Sequence, residues 1–400
     1  MRDNFDAVTE DSIAITHKSS LISGISSKLS EIEKSGINIL YNWIDKIRRL
    51  ADMLYKEIVV DLPKQNLEIH RQCRVFACDG TIYTHKYSSI YLALASACSY
   101  DPKRKGIKPV FLPDILFSHP YRGDLVCSLR MKTLEYRVAF ETVKLMIEKD
   151  MKPELVLLDG TLTFPDDFRT SDSPDWVKEE FENKFLKYAK QFFKLLQKEK
   201  IIVAGISKDP TANKYLLGIK KILTGEWRDR YTSIEKLDCP IEITENQMLL
   251  SLFGNKESWK SNFSTINELG LIKRMLWGTS FKRTKITEVS CATRFPVAID
   301  VIQGRVAGFY FKIFPEARPF YAEVIFWERD NIESFFQNLT NLCYYSPIPG
   351  YPAPLFFAHH IGKLNRKYAE GILNIVHGLL TQKLRQDYKI LLEDRFRERL

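Results

Sequence analysis

Apolar positions along the chain recur at two spacings, one helical and one strand-like, and their alternation sketches the architecture. In residues 37–58, Ile37, Leu40, Ile44, Ile47, Ala51 and Leu54 fall at helical intervals, with Lys46, Arg48, Arg49 and Lys56 elsewhere. This predicts an amphipathic helix, whose stripe suits packing on the rest of the molecule or a dimer or partner surface. Pro63 and the polar run behind it set off this N-terminal segment, residues 1–68. Residues 74–78 then read as a short strand ending at Asp79-Gly80, and residues 82–97 and 110–117 as two further strands around the charged turn YDPKRKG. A helix is predicted over residues 128–149, with Leu134, Val138, Val143 and Ile147 as its buried stripe and Glu135 beside it. The run LVLL at residues 155–158 is continuously apolar, as in a strand covered on both faces, and it ends at Asp159-Gly160.

A second long helix is predicted over residues 176–200. It turns Phe181, Phe185, Tyr188, Phe192 and Leu196 inward and Lys184, Lys187, Lys190, Lys194 and Lys198 toward solvent. Residues 201–206 form another strand, followed at once by Ser207-Lys208, so the order to this point is β, β, β, α, β, α, β. Periodicity weakens over residues 211–292, which read as a helical insertion. Residues 296–327 alternate as a hairpin around FPEARP, and a helix over 332–342 leads into SPIPGYPAPLFFAHHIGKL, a proline-stiffened loop that opens a helix near Pro354. There Phe357, Ile361, Leu364 and Tyr368 have core spacing and His360 lies near them. His359 points roughly the other way, since successive helical residues turn by about 100°. His360 is therefore expected to pack in the core and His359 to face a cleft, although periodicity alone leaves the two roles open. The chain closes with a helix over residues 371–400.

Composition narrows the class. With 400 residues, 45% hydrophobic and 27% charged, the chain has the make-up of a globular protein with one large domain and appendages. A net charge of +9 favours a polyanionic partner such as nucleic acid, though a mild basic excess also occurs in proteins that bind none. The cysteines (Cys73, Cys78, Cys98, Cys127, Cys239, Cys291 and Cys343) are odd in number and form no CxxC pair. They read as buried free thiols in a reducing cytoplasm rather than as zinc ligands or disulfides. The N-terminus lacks the apolar run of a signal peptide, and no stretch of about 18 apolar residues occurs, so neither export nor a membrane span is expected.

The candidate chemistry lies in a repetition. VFACDGT (75–81) and LVLLDGT (155–161) each run an apolar strand into Asp-Gly-Thr. One Asp-Gly alone is an ordinary turn. Two of them after buried strands, with Glu135 on the helix between, present three carboxylates in the order in which an RNase H-like fold supplies its metal ligands. Hard divalent cations need oxygen ligands from several elements, and adjacent parallel strands lie about 4.8 Å apart, close enough for their aspartates to share one ion. Glycine after each aspartate allows a sharp turn and the close approach of a phosphate.

At these residues the chain resembles the NurA nucleases of archaea and some bacteria. The resemblance rests on ACDGT (77–81), RMKTLE (130–135), LLDGTL (157–162), VAGISK (203–208) and GYPAPLFFAH (350–359), in the family's order, and covers about residues 70–370. It implies an α/β, RNase H-like mixed sheet flanked by helices, in a nuclease domain over residues 69–370. The N-terminal helical segment precedes that domain and the helical insertion lies within it. It further implies a Mn²⁺-dependent deoxyribonuclease, with Mg²⁺ as an alternative ion, acting as a homodimer on DNA in end resection with a HerA-type hexameric ATPase. Carried over residue by residue, Asp79, Glu135, Asp159 and His359 would hold metal. Tyr351 would hydrogen-bond a phosphate or water, and Lys208 would contact phosphate. Thr follows both Asp-Gly pairs where many members have Ser, which keeps the hydroxyl. In RPFYAEVI, Arg318 and Glu323 stand farther apart than the family's Arg-x-Glu, so no role passes to them. A catalytically silent DNA-binding adaptor of the translocase and another RNase H-like enzyme acting on RNA are the rival readings. Three mutually repelling carboxylates argue against the first, and the Gly-Tyr-Pro and Ala-His segment against the second.

Overall fold

The structure is a computed structural model. It describes residues 73–87, 91–102, 111–118, 123–162, 175–208, 306–314, 317–327, 332–363 and 365–383, the short strands at 59–60 and 259–261, and residues 26, 28, 30 and 41. The helix expected over 37–58 lies outside the described residues except Tyr41, as do most of the insertion and the chain after residue 383.

Runs of apolar residues give the strands β1 (Val59–Val60), β2 (Val75–Lys86), β3 (Tyr91–Tyr100), β4 (Phe111–Ser118), β5 (Leu155–Asp159), β6 (Ile202–Ser207), β7 (Trp259–Ser261), β8 (Val306–Lys312) and β9 (Phe320–Ile325). Together they form a nine-stranded sheet in the order β1-β7-β8-β9-β6-β5-β2-β3-β4. Strands β2, β5 and β6 are parallel at its centre and the remaining pairs are antiparallel. The order β4-β3-β2-β5-β6 is that of an RNase H-like sheet, and the mixed α/β fold expected from the sequence is the one found.

Helices cover both faces. The even-numbered side chains Phe76, Cys78, Val156 and Leu158 pack beneath α1 (Gly123–Glu148) and α2 (residues 175–199). The odd-numbered Val75, Ala77, Leu155 and Leu157 pack under α3 (Ile332–Tyr344) and α4 (Ala353–Gly362). Helix α5 (Arg366–Lys383) lies over the far end of β2 and β3, placing Ala369 and Leu373 against Leu92 and Leu94. Among the described residues no helix is long and apolar enough to cross a membrane.

Several elements depart from the spacing-based expectation. Strand β2 does not stop at Asp79-Gly80 but runs on to Lys86, paired with β3 from Ala77↔Tyr100 to Lys86↔Tyr91. Residues 82–97 are therefore not one strand: their first part completes β2 and their last part belongs to β3. The glycine marks a close approach instead of a turn, because a Cβ on Gly80 would lie 2.8 Å from Cγ of Met131 on α1. Helix α2 contains a π segment, Glu180–Phe185, between the α-helical stretches Asp175–Glu179 and Leu186–Glu199. Phe181, Phe185, Phe192 and Phe193 remain buried along it, the last three ringing Tyr136 of α1 at 5.5–5.6 Å. Inside the N-terminal segment and the insertion, the described residues include the strands β1 and β7, which extend the sheet beyond β8.

The largest correction concerns α4. Its buried residues are Pro354, Leu355, Ala358 and Gly362, whereas Phe357, Ile361 and His360 face outward and Tyr368 is exposed on α5; Leu364 lies outside the described residues. Small residues define the contact here because the helix sits close to the sheet. Ser96 Oγ donates to the carbonyl of Gly362 at 3.2 Å, and a Cβ on Gly362 would approach Cβ of Cys98 to 3.0 Å. His360, expected in the core, instead lays its ring 4.1 Å from that of Phe356. Of the cysteines, Cys78, Cys98, Cys127 and Cys343 are buried free thiols and Cys73 is half-buried.

Candidate active site

The repeated Asp-Gly-Thr acquires its meaning from sheet register. The parallel pairing of β2 with β5 ends at Cys78↔Leu158, and the next residue on each strand is an aspartate. Alternation turns Asp79 and Asp159 to the face of Ala77 and Leu157, which α4 covers. The two backbones then diverge. Asp79 continues into β2, while Gly160 takes φ +82 and donates its N–H to Ile206 O at 2.8 Å, ending β5. A side chain on that glycine would be strained by the left-handed backbone, and its Cβ would lie 3.3 Å from Lys132 Nζ.

Helix α1 reaches these strand positions from the opposite face through the space the glycines leave. Beside Gly80, Glu135 is buried to 1% exposure. Its Oε2 accepts from Lys132 Nζ at 2.7 Å, whereas Oε1 is buried with no hydrogen-bond partner. Burial, opposed by the Lys132 ammonium but reinforced by Asp79, pushes the Glu135 carboxyl up to about 8. Lys132 also donates to the backbone carbonyl of Asp159. Burial works against its ammonium, but Glu135, Asp159 and Asp79 outweigh that and raise its pKa.

Asp79 is buried, and its Oδ2 lies 2.6 Å from Nδ1 of His359. An ionised carboxylate only accepts, so this contact places the imidazole proton on Nδ1 and leaves Nε2 free. Burial raises the Asp79 pKa; the bond from His359 counteracts it and Asp159 adds to it. Asp159 is the more open aspartate: its Oδ1 accepts from the buried Tyr351 hydroxyl at 2.7 Å and stands 3.6 Å from Lys208 Nζ. The same ammonium lies 4.7 Å from the centre of the Tyr351 ring, a cation–π contact that fixes both groups. Burial, with Asp159 adding to it, drives the Tyr351 hydroxyl well above its usual range, so it stays a donor.

Asp79, Glu135, Asp159, Lys208, Tyr351 and His359 thus lie in one region, delivered by β2, α1, β5, the end of β6, the loop before α4 and α4 itself. Arg318 and Glu323 make other contacts. Arg318 lies over the Phe320 ring at 5.7 Å, and Glu323 is buried, accepting from Tyr321 Oη at 3.1 Å. Lys132 was missed by the sequence reading, although it stands one helical turn before Glu135 inside RMKTLE, a spacing that puts both on one face.

The donor set suits a hard divalent cation, being two aspartates, a glutamate and an imidazole, with the orphaned Oε1 of Glu135 supplying unused lone pairs. As placed, no three His, Cys, Asp or Glu side chains among the described residues stand close enough together to hold an ion. Positive charge at the cluster comes from Lys132 and Lys208.

A family model described as the NurA domain matches residues 73–364, which span every one of these side chains. The chain belongs to the NurA family. Solved NurA structures share its fold. The crystal structure of the NurA nuclease from Sulfolobus solfataricus matches with a TM-score of 0.53 and 16% identity, covering 91% of this chain and 98% of that one. A crystal structure of NurA with manganese matches with a TM-score of 0.53 and 12% identity over 89% of this chain and 99% of that one. No curated protein sequence matches the chain.

Proposed function

We propose that this NurA-family chain is a divalent-metal-dependent DNA nuclease that hydrolyses phosphodiester bonds. The observation that carries the proposal is the placement of Asp79 and Asp159 just beyond the last parallel pair of β2 and β5, with Glu135 brought beside them from α1 and His359 from α4. The manganese in a related NurA structure supports the choice of ion. In this reading Asp79, Glu135, Asp159 and His359 hold Mn²⁺ or Mg²⁺. An ion held there would supply the Lewis acidity that activates a water and offsets charge on the leaving oxygen.

The chain's own groups then have distinct tasks. Tyr351 fixes the rotamer of Asp159 through its hydroxyl. Lys208, already beside Asp159, offers its ammonium to a phosphate oxygen. His359, with Nδ1–H held by Asp79 and its side chain 35% exposed, presents Nε2 as a ligand or as a carrier of the proton for the leaving oxygen. The family resemblance extends the proposal to 5′–3′ exonuclease action on single- and double-stranded DNA and to single-strand endonuclease action. It also supports a homodimer working with a HerA-type hexameric ATPase in end resection and repair.

The test is digestion of end-labelled single- and double-stranded DNA with Mn²⁺. Wild type should degrade both, and Asp79→Ala and Glu135→Gln should each lose about 10²–10³-fold in rate, the scale of losing one electrostatic stabiliser. Equal degradation by wild type and Asp79→Ala would remove the site. DNA binding without cleavage by wild type would replace the enzyme with the adaptor.

A further inference from the structure

We propose that Lys132 is a resident counter-cation of the carboxylate cluster, and that a divalent ion binds only by displacing its ammonium. The inference rests on the metal-site reading above and concerns what the ion must overcome.

Three observations support it. First, the Lys132 ammonium bridges two elements: it is 2.7 Å from Glu135 Oε2 on its own helix and donates to the Asp159 carbonyl at the end of β5. An ordinary surface pair would satisfy one carboxylate and be worth little. Second, the room it occupies is made by Gly160, whose Cβ would lie 3.3 Å from Nζ. The turn after the second aspartate thus admits the ammonium between the strand end and α1. Third, among the described residues no three His, Cys, Asp or Glu side chains stand near enough to ligate one ion, and Glu135 directs Oε2 to Lys132 while Oε1 lacks a partner. The oxygen that Lys132 holds, Oε2, is the one beside β2, 3.5 Å from where a Cβ on Gly80 would stand, and for it to join Asp79 and Asp159 on an ion it must release Lys132. The lysine side chain is 17% exposed, so it has a way out to solvent.

Displacement makes two effects of removing the ammonium run in opposite directions. Without Lys132 the metal-free cluster has lost the cation that bridges Glu135 and the end of β5 and is less stable. The metal-loaded site no longer has a competitor, so the ion binds more tightly. A lysine that merely braced the fold would weaken both, and one that served only an incoming phosphate would leave metal affinity unchanged.

The experiment uses the full chain without DNA. Mn²⁺ affinity of wild type, Lys132→Met and Lys132→Arg is measured by calorimetry or by the free-ion EPR signal, and melting temperature is followed in EDTA and in saturating Mn²⁺. Lys132→Met should bind Mn²⁺ about tenfold more tightly than wild type. It should melt lower in EDTA, and its metal-induced rise in melting temperature should be larger. Lys132→Arg, which keeps the charge, should show no tightening. Unchanged or weaker Mn²⁺ binding by Lys132→Met overturns the inference, whereas absence of Mn²⁺ binding by wild type overturns the metal site itself. A readout on wild type alone covers the case in which Lys132→Met does not fold. Mn²⁺ should increase acetylation of Lys132 by acetic anhydride several-fold, as read by mass spectrometry of the digested chain. No increase at that residue also overturns the proposal.

Discussion

Glu135 governs how the metal-free chain responds to pH. Burial raises its carboxyl from 4.5 to about 8, so between those values the folded chain holds a proton that the unfolded chain has lost. Stability from this group is therefore complete below the lower value and declines as pH rises toward the upper one. Asp79, also raised, acts in the same direction. Urea midpoints in EDTA should be higher at pH 6 than at pH 8, and Glu135→Gln should flatten the difference. Because a ligating Glu135 must be ionised, Mn²⁺ binding at pH 7 should release a fraction of a proton approaching one, measurable by calorimetry in buffers of different ionisation enthalpy. Tyr351 offers a cleaner test of positioning. Tyr351→Phe retains the ring against Phe320, 5.5 Å away, while losing the bond to Asp159. It should cost about 1 kcal/mol of stability. The rate of DNA cleavage should fall more than that loss alone explains, since Asp159 loses the hydroxyl that fixes its rotamer and keeps the more distant Lys208.

At the scale of elements, contact distances decide which residues reach the site. Helix α4 can hold His359 over Asp79 because Ala358 and Gly362 bring it close to β2 and β3. Gly362→Ala would place a Cβ 3.0 Å from Cys98 Cβ and force the helix outward. The expected result is about 1–3 kcal/mol lost to overpacking, seen as a lower melting temperature, together with weaker Mn²⁺ binding as His359 moves off Asp79. These distances also explain where sequence reading succeeded. The apolar strand runs, the amphipathic stripe of α1 and the lysine face of α2 were legible because each is a local periodicity, and Leu134, Val138 and Val143 are buried as their spacing required. The face of α4 was not legible, since Phe357 and Ile361 outweigh Ala358 and Gly362 on any hydrophobic scale, yet only the small pair permits close packing. Asp79-Gly80 was misread as a strand end for a related reason: the same dipeptide terminates β5, where φ of Gly160 is positive, but continues in β2, where the glycine accommodates Met131.

For the whole molecule, the sheet gathers groups from both of its faces. Asp79, Asp159, Tyr351 and His359 belong to the side covered by α3 and α4, whereas Glu135 and Lys132 come from α1 on the other. A ligand that joins them should tie the two layers together. Saturating Mn²⁺, at about 100 times its dissociation constant, should stabilise wild type by about 2.7 kcal/mol against thermal or chemical unfolding. Asp79→Ala should gain much less, and a full gain by that variant would place the ion elsewhere.

The order of elements, the two aspartates after apolar strands, the glutamate on the intervening helix and the late Tyr and His motif were all present in the sequence, because each depends on neighbours within a few residues. Helical turn angle alone left His359 and His360 open; the resemblance pointed to His359, and the face of α4 that is buried differs from the one its spacing suggested. The equal register of Asp79 and Asp159, the passage of α1 side chains beside Gly80 and Gly160, and the ammonium of Lys132 among the carboxylates were decided only in three dimensions. Periodicity tells which side chains share a face of one element. How near two elements come, and which charge fills the space between them, depends on the volumes that meet across the contact.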